Sequence, residues 1–264
     1  PNAKVNVVGY ADAGTGNDKI NDRLAKQRAD IVVKELIEKY PGQIAVSYSI
    51  AGSSIKLFQE YCPEVIESFK ELISTGSVEI TGSTFTHSIA SLYSKSAFAE
   101  QVRLQEALLE EVFGVKPTTF CNTEMIYSDE IGEWLWELGY RTVLTEGAKH
   151  ILAWRSPGYL YCNPFQTDLK LMLRSYALCD DITLRFNDKG WDQYPLTADK
   201  YLGFLKAVPA DVPHINFAFD YETIGEYYTK ETGIFDFFRA LFSRFAESSE
   251  YQMIMPKSVE NSDE

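Results

Sequence analysis

The 264-residue chain carries 25 Lys and Arg against 38 Asp and Glu, which gives a formal net charge of −13. This acidic excess argues against a nucleic-acid partner, because phosphate binding needs clustered basic side chains. The hydrophobic content of 45% excludes a disordered chain and is enough for one large domain, or for a large domain with a small module.

Strand and helix patterns alternate along the chain. The first unit is a β-rich segment at residues 5–10, a Gly-rich turn, and a helical pattern from Asp18 to about Tyr40. Later strands are predicted at residues 44–50, 78–81, 119–122, 142–144 and 215–219. Later helices are predicted at residues 64–74, 96–113, 128–138, 198–207 and 234–245. This alternation predicts an α/β fold with a buried parallel sheet, and a β/α barrel is the first choice.

The cysteines and the apolar runs indicate the cellular compartment in which we expect the protein. Cys62, Cys121, Cys162 and Cys179 lie far apart, without the spacing of a zinc site, so we expect free thiols in a reducing, cytoplasmic setting. No apolar run approaches the roughly 18 residues that cross a bilayer, so no membrane partner is expected.

Two acidic residues lie just after the ends of predicted strands. Glu124 comes after residues 119–122, and Asp220 comes after residues 215–219. In β/α folds, functional side chains lie where parallel strands end and loops begin. Retaining glycoside hydrolysis needs two such carboxyl groups about 5 Å apart. Position alone does not single these residues out, because most of the 38 acidic residues belong to the solvated surface.

Four segments carry a more specific pattern. They are Val78-Glu79-Ile80-Thr81 with His87 after it, Asn122-Thr123-Glu124 with Tyr127-Ser128-Asp129-Glu130, Thr145-Glu146-Gly147-Ala148-Lys149-His150, and Phe219-Asp220-Tyr221-Glu222-Thr223-Ile224-Gly225-Glu226. With these segments in this order, residues 44–258 resemble glycoside hydrolase family 57. That family contains α-amylases and 4-α-glucanotransferases built on an incomplete (β/α)7 barrel.

The resemblance implies a role for each matching residue. Glu124 stands at the nucleophile position and Asp220 at the acid/base position. Glu222 is expected to contact substrate or to tune Asp220, and Glu79 and His87 are expected to contact sugar hydroxyls. The aromatic share of 14% adds candidate stacking platforms for sugar rings, each with core packing as the alternative: Trp154, Trp191 and Tyr221. The implied substrate is an α-1,4-glucan or maltooligosaccharide, with no cofactor and no metal.

The first quarter departs from the family pattern, because the His-Gln-Pro motif of its first strand is missing. Residues 4–36 instead resemble part of an OmpA-like peptidoglycan-binding domain, through Val7-Val8-Gly9-Tyr10-Ala11-Asp12 and Asn21-Asp22-Arg23-Leu24-Ala25-Lys26-Gln27-Arg28-Ala29. That resemblance implies that Asp12 and Arg28 bind a zwitterionic diaminopimelate. It also makes a periplasmic location the alternative to a cytoplasmic one.

The two resemblances together suggest a chimera. In this interpretation an OmpA-like strand and helix at residues 1–43 replace the first β/α unit of a barrel that occupies residues 44–264. The barrel would be truncated at its C-terminal end. Loss of the family's first-strand His predicts reduced activity.

Two further interpretations remain open. A polysaccharide deacetylase would need a metal held by an Asp and two His in an H-x-x-x-H pattern, and His87, His150 and His214 are not so spaced. A non-catalytic protein that binds carbohydrate or peptidoglycan is the alternative outside enzymes. The sequence does not decide between hydrolysis and transglycosylation, because both use the same two carboxylates, nor does it give the oligomeric state.

Overall fold

A computed structural model describes residues 3–11 and 35–262 of the chain. Its strands are β1 Ala3–Ala11, β2 Val46–Ile50, β3 Val78–Ile80, β4 Thr119–Cys121, β5 Thr142–Thr145, β6 Tyr161–Cys162, β7 Lys170–Leu173, β8 His214–Asp220 and β9 Tyr251–Met253. Its α-helices are Gly52–Tyr61, Pro63–Ser74, Lys95–Phe113, Asp129–Glu137, Lys149–Leu152, Tyr176–Thr183, Ala198–Lys206 and Ile234–Glu247. Short 3₁₀ turns include Thr123–Met125 and Tyr221–Thr223, which directly follow β4 and β8.

The predicted alternation of helices and strands is confirmed, and the class is α/β. The long helix Lys95–Phe113 begins at the Ser94 cap, whose hydroxyl accepts from the amide of Ala97, and ends at Gly114 with φ of 66°. A glycine takes this left-handed conformation without the steric cost of a side chain. Most of the predicted first helix lies outside the described residues, although residues 35–39 are helical. The sequence prediction missed the helices Gly52–Tyr61 and Tyr176–Thr183 and the strand β7.

The first sheet is parallel and has β1 near its centre. Its order is β3-β2-β1-β8. The strand β9 pairs with the beginning of β1, and β2 pairs with the later part of the same edge of β1. The register pairs Lys4 with His214 and Tyr10 with Asp220, so β1 ends beside the end of β8. All residues of β2, and all of β8 except Asp220, are buried, in agreement with the uncharged patterns of these strands.

The second sheet has the order β4-β5-β7-β6, in which only β6 is antiparallel to its neighbour. One parallel bridge joins the two sheets: the amide of Gly82 donates to the carbonyl of Thr119, and the amide of Cys121 donates to the carbonyl of Gly82. A Cβ at Gly82 would lie 2.4 Å from the hydroxyl oxygen of Tyr140, so only glycine allows this approach. On the opposite side, the amide of Ser175 after β7 donates to the carbonyl of Asn216 in β8.

The largest core cluster lies between the first sheet and the helices packed around it. It includes Val5, Tyr48, Phe69, Phe217 and Phe245, each at most 5% exposed. Burial of aromatic and branched side chains of this kind is the main favourable term in folding. Within the residues described, no helix is long and apolar enough to cross a bilayer.

Candidate active site

A cavity of about 560 Å³ opens where the parallel strands end. Its walls come from segments that follow β2, β3, β4, β5, β7 and β8. Its titratable lining residues are His87, Glu124, Glu146, Arg174, Asp180, Asp220, Glu222 and Tyr227. The structure therefore brings together four of the predicted site residues, His87, Glu124, Asp220 and Glu222, from segments far apart in the chain.

Glu124 lies on a strained turn directly after β4. Its φ and ψ are 53° and 23°, and the next residue, Met125, also has a positive φ of 52°. Such conformations cost about 1–3 kcal/mol for a residue with a side chain and persist only where the surroundings hold them. Here the side-chain oxygen of Asn122 accepts from the amide of Thr123, and the amide nitrogen of Asn122 donates to the carbonyl of Ile126. The turn leaves the Glu124 side chain 72% exposed and directed into the cavity.

His87 contacts Glu124 across the cavity. Its Nε2 atom lies 3.2 Å from Oε1 of Glu124, and its backbone also has a positive φ, of 54°. The loop that carries His87 is joined to the Glu124 turn by the hydroxyls of Thr84 and Thr123, which are 2.9 Å apart and buried. Thr123 also donates to the carbonyl of Ser88. These contacts hold the imidazole against the carboxylate.

Asp220 and Glu222 lie at the end of β8 and in the 3₁₀ turn that follows it. Asp220 is exposed to the cavity, whereas the six residues of β8 before it are buried. Tyr227 closes this side of the cavity. Its hydrogen bond to Glu222, followed by the negative charges of Glu222, Asp220 and Glu226, raises the pKa of the phenol. The tyrosine is therefore neutral and presents an exposed aromatic ring beside Asp220.

Sequence reasoning gave no role to three charged residues of the cavity, Arg174, Glu146 and Asp180. Arg174 follows β7; its Nη1 lies 3.3 Å from Oε2 of Glu146 and its Nη2 lies 2.8 Å from Oδ1 of Asp180. Burial acts to lower the pKa of Arg174, but Cys179, Asp180 and Glu146 outweigh burial and raise it. The guanidinium is therefore a fixed positive charge. Glu146 belongs to the family motif at residues 145–150, and this motif was the one feature of the sequence that could have identified it as a site residue.

Four other predicted site residues are not among the described residues that line the cavity. Glu79 is 5% exposed and accepts from the amide of Lys257, and burial raises the pKa of its carboxyl. Trp154 is 87% exposed on the surface. Trp191 packs against Phe204 and Tyr221 packs edge-on against Tyr48, at ring-centroid distances of 6.2 and 5.7 Å. Their predicted sugar contacts stay predictions, and for Trp191 and Tyr221 the packing alternative describes the observed contacts.

Asp12 and Arg28 lie outside the described residues, so their predicted peptidoglycan contacts have no structural description. Among residues 3–11 and 35–262, no three His, Cys, Asp or Glu side chains are grouped so as to hold a metal ion. None of the four cysteines forms a disulfide, and only Cys162 is exposed.

Comparison with known proteins gives the family. The model of "Glycosyl hydrolase family 57" matches residues 18–263. The "Putative alpha-amylase" of Methanocaldococcus jannaschii is 42% identical over 229 residues, which cover 86% of this chain and 48% of that protein. The chain thus spans about half the length of this relative.

Two solved structures share the fold. The 4-α-glucanotransferase of Thermococcus litoralis superposes with a TM-score of 0.77 at 17% identity, over 98% of this chain and 40% of that one. A "putative polysaccharide deacetylase" of Mycobacterium smegmatis gives a TM-score of 0.65 at 12% identity, over 98% and 88% of the two chains. Likeness of fold alone therefore does not separate glycosidase from deacetylase chemistry.

The comparisons also bear on the first quarter of the chain. The family match begins at residue 18 and takes in residues 21–29, whose sequence suggested an OmpA-like helix. Neither the OmpA-like resemblance nor the chimera has any support, and the division at residue 43 stays a prediction. The family match over residues 18–263 and the 42% identity to the archaeal relative show that the chain belongs to glycosyl hydrolase family 57.

Proposed function

We propose that this protein is a retaining α-glucan hydrolase or transglycosylase, with Glu124 as nucleophile and Asp220 as acid/base. The observation that carries the proposal is the shared cavity: both carboxyl groups line the same 560 Å³ space, at the ends of β4 and β8. The names of the similar proteins, an α-amylase and a 4-α-glucanotransferase, support an α-1,4-glucan or maltooligosaccharide as substrate.

The two residues act in sequence in such a reaction. The Glu124 carboxylate attacks the anomeric carbon while the Asp220 carboxyl protonates the departing glycosidic oxygen. A covalent glycosyl-Glu124 ester results. Asp220, now ionised, takes a proton from water in hydrolysis, or from a sugar hydroxyl in transfer, as that oxygen attacks the anomeric carbon from the side opposite Glu124. The ester bond to Glu124 breaks in this step, and Glu124 is released as a carboxylate.

The surroundings of Glu124 suit a nucleophile. The carboxylate is exposed to the cavity, so a sugar reaches it without a rearrangement of the turn. The contact with His87 fixes its orientation, which lowers the entropic cost of reaching the transition state. His87 also supplies an imidazole beside Glu124, although the family's first-strand His-Gln-Pro motif is missing. This contact argues against the predicted loss of activity.

We further propose that the two sheets form one barrel of seven parallel strands, in the order β1, β2, β3, β4, β5, β7 and β8. The Gly82 bridge supports a join between β3 and β4. The hydrogen bond from Ser175 to Asn216 supports closure between β7 and β8. A barrel of this kind collects the ends of all its strands at one mouth, which agrees with the origin of the cavity walls.

The test is the stereochemistry and the residue dependence of maltoheptaose cleavage. Wild-type protein is expected to release products that keep the α configuration at the new anomeric centre, observed by proton NMR before mutarotation. Glu124→Gln is expected to lower kcat by at least about 10³-fold, because the attacking atom loses its charge. Chromatography of the products separates shorter sugars, made by hydrolysis, from longer ones, made by transfer.

Matched controls are available on the surface. Glu110→Gln changes an exposed carboxyl on the helix Lys95–Phe113 and should leave kcat unaltered. Products of β configuration would contradict the retaining mechanism. Wild-type rates in Glu124→Gln would contradict the assignment of Glu124 as nucleophile. Binding of maltoheptaose by the wild-type protein without any cleavage would favour the non-catalytic alternative.

A further inference from the structure

The edge of β8 that faces β7 is held in an unusual way. Along its other edge, β8 pairs residue by residue with β1, from His214 to Asp220. On the β7 side the described chain has no regular ladder. The amide of Asn216 donates to the hydroxyl of Ser175, 3.0 Å away, and the amide of Ala218 lies 3.4 Å from Sγ of Cys179. Apart from the backbone hydrogen bond from Ser175 to Asn216, side chains therefore hold this edge of β8.

Arg174 completes this edge. Its Nε donates to the carbonyl of Ala218 over 2.8 Å, and its other two nitrogens reach Glu146 and Asp180. The side chain is 15% exposed, so it is largely desolvated. A guanidinium with three fixed partners has a single orientation, unlike a surface arginine. Arg174 thus connects segments following β5 and β7 to β8 at a point two residues before Asp220.

Arg174 also has a distinct electrostatic position. The described lining of the cavity holds five carboxyl groups, Glu124, Glu146, Asp180, Asp220 and Glu222, and Arg174 is its one Arg or Lys. The other titratable groups that face the cavity are His87 and Tyr227. Neighbouring carboxylates raise each other's pKa, and a nearby guanidinium lowers it. Removal of Arg174 would leave the acidic groups without that compensation.

We propose that Arg174 is a positioning residue for Asp220. It fixes the end of β8 through the carbonyl of Ala218, and its charge offsets the carboxylates that surround Asp220 in the cavity. This inference rests on the proposed function, in which Asp220 is the acid/base. It assigns Arg174 no contact with substrate.

The experiment combines a titration with kinetics. The Asp220 carboxyl is followed by carbon-13 NMR and assigned by the signal that disappears in Asp220→Asn. Arg174→Gln, which removes the charge, is expected to raise the pKa of Asp220 by about one unit. Arg174→Lys keeps a positive charge but cannot make the three hydrogen bonds of the guanidinium, so we expect a smaller rise in the pKa of Asp220.

The kinetic readout separates positioning from binding. In Arg174→Gln we expect kcat on maltoheptaose to fall about 10- to 100-fold with little change in KM, because a misplaced acid affects the chemical step. In Arg174→Gln the alkaline limb of the pH–rate profile should move to higher pH. In Arg174→Lys the position of this limb should return closer to its wild-type value than kcat does. The control is Arg244→Gln, which breaks an exposed ion pair with Asp199 outside the cavity and should change neither quantity.

Each result has a distinct meaning. A pKa of Asp220 and a pH profile that stay at wild-type values in both Arg174 variants would overturn the inference, even if the rate fell through general loss of structure. Should Arg174→Gln fail to fold, Arg174→Lys decides by the same comparison. Full activity of Glu124→Gln would overturn the proposed function instead, and the titration of Asp220 would still test the contact with Arg174.

Discussion

The two sides of the cavity hold their carboxyl groups by different means. On the β4 side, Glu124 is fixed by a turn with two consecutive positive φ angles, braced by Asn122 and by the hydroxyls of Thr84 and Thr123. On the β8 side, Asp220 is the last residue of a regular strand. Arg174 and other side chains bind the edge of this strand that does not pair with β1. A strained turn held by hydroxyl contacts therefore positions one group, and a regular strand with side chains along one edge positions the other.

The largest expected difference between the two sides lies in their chemistry. With maltoheptaose, Asp220→Asn should lower kcat/KM about 10²- to 10⁴-fold, because the leaving oxygen needs a proton. With a 4-nitrophenyl α-maltooligosaccharide cleaved at the aryl bond, the loss of kcat/KM should be much smaller, because nitrophenolate leaves unprotonated and kcat/KM does not include the later step in which Asp220 acts as base. Glu124→Gln should lose activity on both substrates.

Steady-state rates on both substrates check this expectation. Asp168→Asn, at an exposed position, is the matched control and should behave as wild type. Equal losses on the two substrates in Asp220→Asn would show that Asp220 is not the proton donor.

The bracing of the Glu124 turn gives the next largest effect, this time on stability. Thr84→Val removes a buried hydroxyl that accepts from the amide of Ser88 and contacts Thr123. The partners left without a hydrogen bond should lower the free energy of unfolding by about 1–3 kcal/mol. Urea unfolding at equilibrium measures this change.

Thr232→Val, whose surface hydroxyl donates to the carbonyl of Thr229, is the control with a small expected effect. An unchanged unfolding free energy in Thr84→Val would mean that the hydroxyl pair does not hold the two loops together.

The smallest expected effect concerns Glu79, on β3 but outside the cavity lining. Burial raises the pKa of this carboxyl in the folded chain above its value in the unfolded chain. The protonated form therefore stabilises the fold at low pH, and this contribution is lost as the pH rises through the folded pKa. Relative to wild type, Glu79→Gln should gain stability as the pH is raised from about 4 to about 8.

Thermal unfolding across that pH range measures the trend for Glu79→Gln. The glutamine oxygen can still accept the hydrogen bond from the Lys257 amide, so we expect this contact to contribute the same stability difference at every pH. A stability difference that runs the opposite way with pH would show that Glu79 is better ionised in the fold than in the unfolded chain.

The sequence was sufficient for the class of fold and for the placement of Glu124 and Asp220 at one cavity, whereas their catalytic roles stay predictions. Residues 215–219 are a nearly all-apolar run directly before Asp220, residues 119–122 end two positions before Glu124, and the strand ends of parallel sheets meet at one edge. The family motif around Asp220 added Glu222 and Tyr221. Of these two, the structure places Glu222 at the cavity and Tyr221 in the core.

Arg174 and Asp180 were beyond sequence reasoning for a physical reason. One contact of Arg174 is with the backbone carbonyl of Ala218, and a backbone acceptor has no signature in the side-chain sequence. Asp180 lies on a short helix, Tyr176–Thr183, that was not predicted because its apolar residues do not repeat over enough turns. Trp154 was singled out by residue type alone; the structure places its ring on the surface, 87% exposed, and its sugar contact stays a prediction.

The acidic lining of the cavity also constrains which sugars can enter. Five carboxyl groups face one guanidinium and one imidazole in the described wall. A glucan that carries phosphate esters would bring like charge into this partly desolvated space, where Coulomb repulsion is weakly screened. In the function proposed above, this wall would therefore favour an uncharged glucan over a phosphorylated one.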